Sequence, residues 1–267
     1  MSISLIAETL QIEGLDAIAF AHAQFSSKVN SLAVGEWQFS AWLDPQGRVR
    51  ALFQLTRLAD DRLLLLLRGG SAAAMAEALQ RFVFRSRLSL HALPPRVLAS
   101  GPALPLHEVQ TANGALVLGC ATHSLWIIND TSGDDRWRLA QLRAGWPWLP
   151  DESLSQWLPA ALSLQRLQAV VVDKGCYPGQ EIVARLHYRG GHKRHLHNVT
   201  LSRPALAGEP LVVDGREAGC LLEVISSDDG IEALAVLNDE VVEQTTNGRL
   251  DVHEKNLVIQ LVSAWSA

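Results

Sequence analysis

Asp173-Lys174-Gly175-Cys176-Tyr177-Pro178-Gly179-Gln180-Glu181-Ile182-Val183-Ala184-Arg185 is the stretch whose reading decides the fold. It follows Val170-Val171-Val172, a β-branched run that predicts a buried strand, and it leads into Ile182, Val183 and Leu186 at helical spacing. The pattern predicts a strand, a tight glycine turn and a helix start. Pro178 suits a first helical turn, where its missing N–H costs nothing, and Glu181 favours the positive end of the helix dipole. Cys176 then falls at the mouth of a helix, two residues from Lys174, and both features favour a thiolate. Lys174 and Cys176 are therefore the candidate catalytic pair. A turn cysteine packed beneath a helix gives the same bare pattern; Gln180, Glu181 and Arg185 in one short span weight it toward function. Glu181 and Arg185 also stand at i,i+4, the spacing of an ion pair on a helix surface.

Cys120, in Leu-Val-Leu-Gly-Cys-Ala, and Cys220, in Ala-Gly-Cys-Leu-Leu, sit in apolar strand-like runs and read as core. Three cysteines without a CxxC pair favour a reducing compartment. The longest pure aliphatic run, Leu63 to Leu67, is far below the roughly 20 residues of a membrane span. With no positive n-region at the start, the expected location is the cytoplasm. The 267 residues are 48% hydrophobic and carry a formal net charge of -5, which excludes disorder and wholesale condensation onto a polyanion. Any anion site must be local. The segment from Arg185 to His197 fits, with Arg185, Arg189, Lys193, Arg194 and four histidines (His187, His192, His195, His197) and no acidic residue. Arg189, Lys193 and Arg194 are a candidate patch for an anionic ligand tail, an RNA phosphate or an acidic partner. No two of these histidines stand at i,i+4, so no metal site is predicted.

Upstream, residues 3 to 12 alternate like a strand, and Asp16 can cap a helix with apolar positions at Ile18, Ala21, Phe25, Val29 and Leu32. Asp44-Pro45-Gln46-Gly47 predicts a hairpin turn, Arg62 to Leu67 a strand, Ser71 to Phe84 a helix and the neighbourhood of Leu88 a short strand. Residues 92 to 113, with four prolines, read as the least regular segment, followed by strands at Leu116 to Leu118 and Leu125 to Ile128. Asp134 can cap a helix through Trp137, Leu139 and Leu142 that Gly145 and Pro147 stop. After Leu196, short apolar runs between turn residues predict a small antiparallel β-barrel. The expected organisation is α+β, with residues 1–190 forming one region and residues 191–267 a C-terminal β-barrel.

Lys174-Gly-Cys-Tyr-Pro-Gly-Gln-Glu181, continuing as Ile-Val-Ala-Arg185 and Tyr188-Arg-Gly-Gly-His-Lys-Arg194, resembles the signature of the YgfZ folate-binding proteins, relatives of the glycine-cleavage T-protein (aminomethyltransferase). Weaker echoes are Gly14-Leu-Asp16, Asp44-Pro-Gln-Gly-Arg48, the Phe82 to Leu88 stretch and Trp137 with Arg143-Ala-Gly-Trp-Pro147. The resemblance implies an aminomethyltransferase-like folate-binding fold around a central cleft, and tetrahydrofolate or a derivative as cofactor. It implies folate-binding roles for Trp137, Tyr177, Gln180, Glu181 and Arg185. It also implies service to iron-sulfur cluster assembly or repair and thereby to tRNA methylthiolation, with iron-sulfur enzymes such as the tRNA methylthiotransferase system as partners and direct tRNA contact left open. Ala23-Gln-Phe-Ser-Ser-Lys28 replaces the family's Gln-Gly-Gln stretch, no tryptophan stands near Ala7, and the short segment from Ile128 to Asp134 omits a helix of the middle lobe. The alternatives are a folate-dependent aminomethyl or one-carbon transferase and a Cys-His hydrolase with His187 or His195 as base.

Overall fold

The computed structural model describes residues 5–130 and 133–265. Three antiparallel sheets meet around one shared apolar core. The first sheet is ordered Glu36–Leu43, Val49–Ala59, Arg62–Leu67, Thr9–Glu13, Ser89–Ala92. One of its faces is covered by α1 (Ala17–Gln24) and α2 (Ala72–Gln80), which bury Ala17, Phe20, Ala21, Ala72, Met75 and Leu79 on Leu10, Ile12, Leu63, Leu65 and Leu67. The opposite face sends Leu64 and Leu66, with Trp37 and Phe39, into the central core. This explains the unbroken aliphatic run from Leu63 to Leu67: a strand covered on both faces has no solvent side to alternate toward. The next residue on the central-core side is Arg68, which is fully buried.

The second sheet is ordered Ile6–Ala7, Arg96–Gly101, Ser124–Ile128, Ala115–Gly119, Val109–Ala112, and gives Leu98, Leu116, Leu118, Leu125 and Ile127 to the same core. The third is ordered Pro210–Val213, Arg216–Ser227, Gly230–Asn238, Arg194–Leu201, Leu257–Trp265, Arg249–Val252. Its edge strands approach each other, so it curls into a nearly closed barrel around Val199, Leu211, Leu221, Ala235 and Ile259. The barrel wall turns Leu196, Leu222, Leu234 and Val236 toward the central core. Between the sheets lie α3 (Arg136–Arg143) and α4 (Gln180–Arg189), while α5 (Asp239–Glu243) follows the barrel's Gly230–Asn238 strand. No helix among the described residues is long and apolar enough to cross a membrane.

Several sequence expectations need correction. The helix after Asp16 stops at Gln24, because Phe25 bridges to Trp42 and the Ser26 hydroxyl donates to Ala169 O while accepting from Ala41 N–H. Val29 and Leu32 are buried all the same, from a short 3₁₀ turn at Val29–Ser31 and its end. Asp16 does not cap through its side chain; its carboxylate accepts from the Arg87 backbone N–H at 2.7 Å. Residues 92 to 113 hold two strands, which pair antiparallel despite the flanking prolines. Val170-Val171-Val172 forms no strand: Val171 N–H donates to Ser26 O and its carbonyl accepts from the Tyr177 hydroxyl, so no neighbouring strand is engaged. The strand-like reading at residues 3 and 4 lies outside the described residues.

Candidate functional site

The motif loop is pinned along its length. At its start, Asp173 pairs with Lys28 at 2.5 Å, and the Lys28 ammonium holds its carboxyl below the usual range. The Lys174 ammonium donates to the carbonyls of His22, Phe25 and Ser27, at the end of α1 and just beyond it, and lies 5.0 Å from the Tyr177 ring centre. Tyr177 is buried, its hydroxyl donates to Val171 O at 2.8 Å, and desolvation pushes its pKa up. Gln180 donates through Nε2 to Lys174 O at 3.1 Å.

Gly179, not Pro178, sits at the helix boundary, and α4 begins only at Gln180. The reason is steric. Gly179 has φ +78°, and a Cβ there would lie 2.5 Å from Asp44 O and 2.7 Å from Gly47 Cα in the hairpin turn below. Only glycine gives both the left-handed backbone and this close approach. Between these anchors Gly175 and Cys176 are exposed. Cys176 is the exposed thiol of the three, whereas burial pushes Cys120 up to about 12 and also raises Cys220.

The Lys174 ammonium is therefore engaged by a nest of three carbonyls, a placement the sequence spacing did not reveal. Burial lowers its pKa from 10.5 to about 8. The three carbonyls favour the ammonium, so the cation persists at neutral pH. With the folded value below the unfolded one, the unfolded chain holds more protons between the two, and stability rises with pH across that window. Relative to Lys174→Met, the wild type is expected to gain about 1–2 kcal/mol between roughly pH 8 and 10.5, solvent at the open side of the lysine reducing the effect. Urea unfolding of both proteins across this range checks it; a constant difference contradicts it.

The other sequence candidates are distributed. Glu181 and Arg185 are both exposed on α4, and no ion pair joins them among the described residues. Lys193 is paired with Glu240 at 2.8 Å and Arg194 with Glu217 at 2.9 Å, which leaves Arg185 and Arg189 as cations of that segment without an ion pair among the described residues. His195 bonds Asp239 at 2.6 Å, and neither it nor His187 is hydrogen-bonded to Cys176 among the described residues. The nucleophile–base contact of a Cys-His hydrolase is thus missing. No group of three or more His, Cys, Asp or Glu is placed to hold a metal ion among the described residues.

Trp137 is buried in the central core, donates through Nε1 to Asp134 O and packs on Trp148 with ring centres 5.4 Å apart. Among the described residues, no cavity in the lining of which it takes part also holds Tyr177, Gln180, Glu181 or Arg185. It lines a cavity of about 420 Å³ with Ser100, His123 and Arg136, whereas its neighbour Trp148 lines another, of about 450 Å³, at the junction of the three sheets with Leu67, Arg138, Leu149, Leu222 and Glu223, among others. Glu223 is 3% exposed; its Oε1 accepts from Arg138 Nε at 3.0 Å, and its Oε2 has no partner among the described residues. Burial raises its carboxyl, with Arg138 and Arg68 pulling the other way. Trp148 Nε1 is likewise buried without an acceptor. Both residues line the cavity, and these two atoms are buried in its wall.

Arg68 forms the floor of this region. Its guanidinium donates to Pro147 O at 2.9 Å, Trp146 O at 2.8 Å, Gln141 Oε1 at 2.9 Å and Gln54 Oε1 at 3.3 Å, and lies 4.5 Å from the Trp148 ring centre. Desolvation lowers it to about 9, still protonated at neutral pH. The sequence reading missed Arg68, Trp148 and Glu223. The available signal was an arginine placed directly after five consecutive leucines and before Gly69-Gly70.

Three sheets around a shared core with a C-terminal barrel define a class. The structure matches the glycine cleavage system aminomethyltransferase T from Bartonella henselae with a TM-score of 0.71 over 98% of this chain and 84% of that one, at 17% identity. The fold is thus aminomethyltransferase-like. No protein-family model matches the chain. Among curated proteins, it is 25% identical over 288 residues to the tRNA-modifying protein YgfZ of Enterobacter sp., covering 93% of this chain and 88% of that protein. It is 34% identical over 132 residues to the tRNA-modifying protein YgfZ of Yersinia enterocolitica, covering 47% of this chain and 40% of that protein. Over most of its length the chain is thus similar to the tRNA-modifying YgfZ proteins.

Proposed function

We propose that this chain is a tetrahydrofolate-binding factor of tRNA modification that works in the cytoplasm, supports iron-sulfur enzymes such as the tRNA methylthiotransferase system, and uses Cys176 as its reactive group. The observation that carries the reading is the motif loop: anchored through Asp173, Lys174, Tyr177, Gly179 and Gln180, it spends all these contacts on presenting one thiol to solvent. Lys174 serves as a positioning residue, holding the loop to the end of α1.

The junction cavity suits a pterin. Its volume of about 450 Å³ lies in the range of small-molecule sites. A pterin edge presents N–H donors beside a carbonyl acceptor, complementary to Glu223 Oε2 and Trp148 Nε1, and leaving either atom unpaired in a dry site is costly. Trp137 packs on the Trp148 ring, and Arg185 and Arg189, on α4 away from this cavity's lining, are available to an anionic partner. Tetrahydrofolate, when bound, supplies one-carbon and reducing chemistry; the chain's own residues bind and orient it.

Calorimetry with tetrahydrofolate is expected to give saturable heat for the wild type. Trp148→Phe, which keeps the ring and removes one donor, is expected to weaken binding about 5- to 10-fold, and Glu223→Gln to weaken it more, with near-UV circular dichroism confirming folding. Absence of saturable heat in the wild type overturns the folate reading.

A further inference from the structure

The loop after α2 reads Arg81-Phe82-Val83-Phe84-Arg85-Ser86-Arg87 and lies within residues 78–107, a stretch without a single Asp or Glu. α2 buries Ala72, Met75 and Leu79 against the first sheet, but the aromatics that follow it stay outside: Phe82 is 40% and Phe84 77% exposed. Each carries an arginine over one face, Arg81 at 5.0 Å from the Phe82 ring centre and Arg85 at 5.1 Å from that of Phe84. Arg85 has φ +65°, a left-handed conformation that bulky residues seldom adopt, and it turns the chain at the tip.

Neither Arg81 nor Arg85 has a carboxylate within ion-pair distance among the described residues, whereas Arg87 is engaged by Asp16 at 3.4 Å. Arg50, stacked 3.9 Å over Trp42, is near enough to Arg81 to feel its charge and is itself offset by Asp44, so the uncompensated cations are those of the loop. An acidic protein thus concentrates uncompensated cations and bare aromatic faces on one loop.

We infer that the Arg81–Arg87 loop docks unpaired nucleotides of an RNA, with Phe84 and Phe82 as stacking platforms for bases and Arg81 and Arg85 as phosphate contacts. Free aromatic faces bind bases only where these are splayed out of a helix, and neighbouring guanidinium groups supply the backbone attraction. The placement disfavours lipid: inserting these rings into a bilayer would drag two ring-bound guanidinium groups toward the acyl region. The choice of RNA among polyanions rests on the tRNA-directed reading above.

The test is fluorescence anisotropy with a labelled RNA hairpin carrying an unpaired loop, against a fully paired RNA duplex and against vesicles of phosphatidylglycerol. The wild type is expected to prefer the hairpin. Phe84→Ala, at an exposed site that does not threaten folding, is expected to bind it about tenfold more weakly. Arg81→Gln and Arg85→Gln are each expected to lower the salt dependence by about one ion. Equal binding of duplex and hairpin, an unchanged Phe84→Ala, or a preference for vesicles overturns the inference. If the hairpin is not bound while Cys176→Ala cells still lose tRNA modification, the docking site alone fails. If it is bound and those cells modify tRNA normally, the Cys176 reading alone fails.

Discussion

Replacing Arg68 with methionine is expected to destabilise the protein by about 3–5 kcal/mol, the cost of breaking a buried charged network by removing one member. The methionine stem would fill most of the arginine's path, so the loss would not come from a cavity. It would come from Gln54, Gln141 and the carbonyls of Trp146 and Pro147, which lose their common donor in a dry core. Glu223 would keep only Arg138 and would be driven further toward its neutral form. Because Gln54 lies in the first sheet and Gln141 in α3, the guanidinium ties these two elements together. A shift in melting temperature of about 10 °C or more is expected, read by calorimetry. A change of less than about 1 kcal/mol would show that the network is dispensable.

Much of this architecture was legible in the chain. The Asp44–Gly47 hairpin follows from a turn sequence whose geometry the structure reproduces, with Gly47 at φ +79° and Arg48 N–H donating to the Asp44 carboxylate at 2.8 Å. α2 follows from its alanines, although it ends at Gln80 and not at Phe84 as the composition suggested. The barrel follows from short apolar runs between turns, and the motif glycine from the positive φ that its neighbours demand.

What failed did so for tertiary reasons. Val170-Val171-Val172 has strand propensity but finds no partner strand, only Ser26 and Tyr177, and propensity cannot supply a missing ladder. Lys174 is two residues from Cys176 in sequence, yet three carbonyls contributed by residues about 150 positions away engage it. The junction cavity was invisible because Trp148 and Glu223 come from distant segments that meet only when the three sheets close. Neither residue has a local pattern that distinguishes it from a packing tryptophan or a surface carboxylate.

The other large effect concerns Cys176. Cells carrying only Cys176→Ala are expected to lose tRNA methylthiolation while retaining a folded protein. The thiol is exposed and the loop is held by its neighbours, so the substitution leaves no cavity and stability should change by no more than about 0.5 kcal/mol. The deficit should deepen under aerobic growth, since exposed reactive thiols are oxidised first. His187→Ala and His195→Ala should remain active, because no hydrogen bond couples either ring to the thiol among the described residues. A nucleophile–base pair would instead make the histidine and cysteine variants equally defective.

The most direct measurement is the methylthiolated nucleoside content of tRNA from Cys176→Ala cells grown in air, compared with wild type at matched levels of folded protein. A large loss, with the histidine variants near wild type, is the predicted result; a normal content in the Cys176→Ala strain would contradict the account.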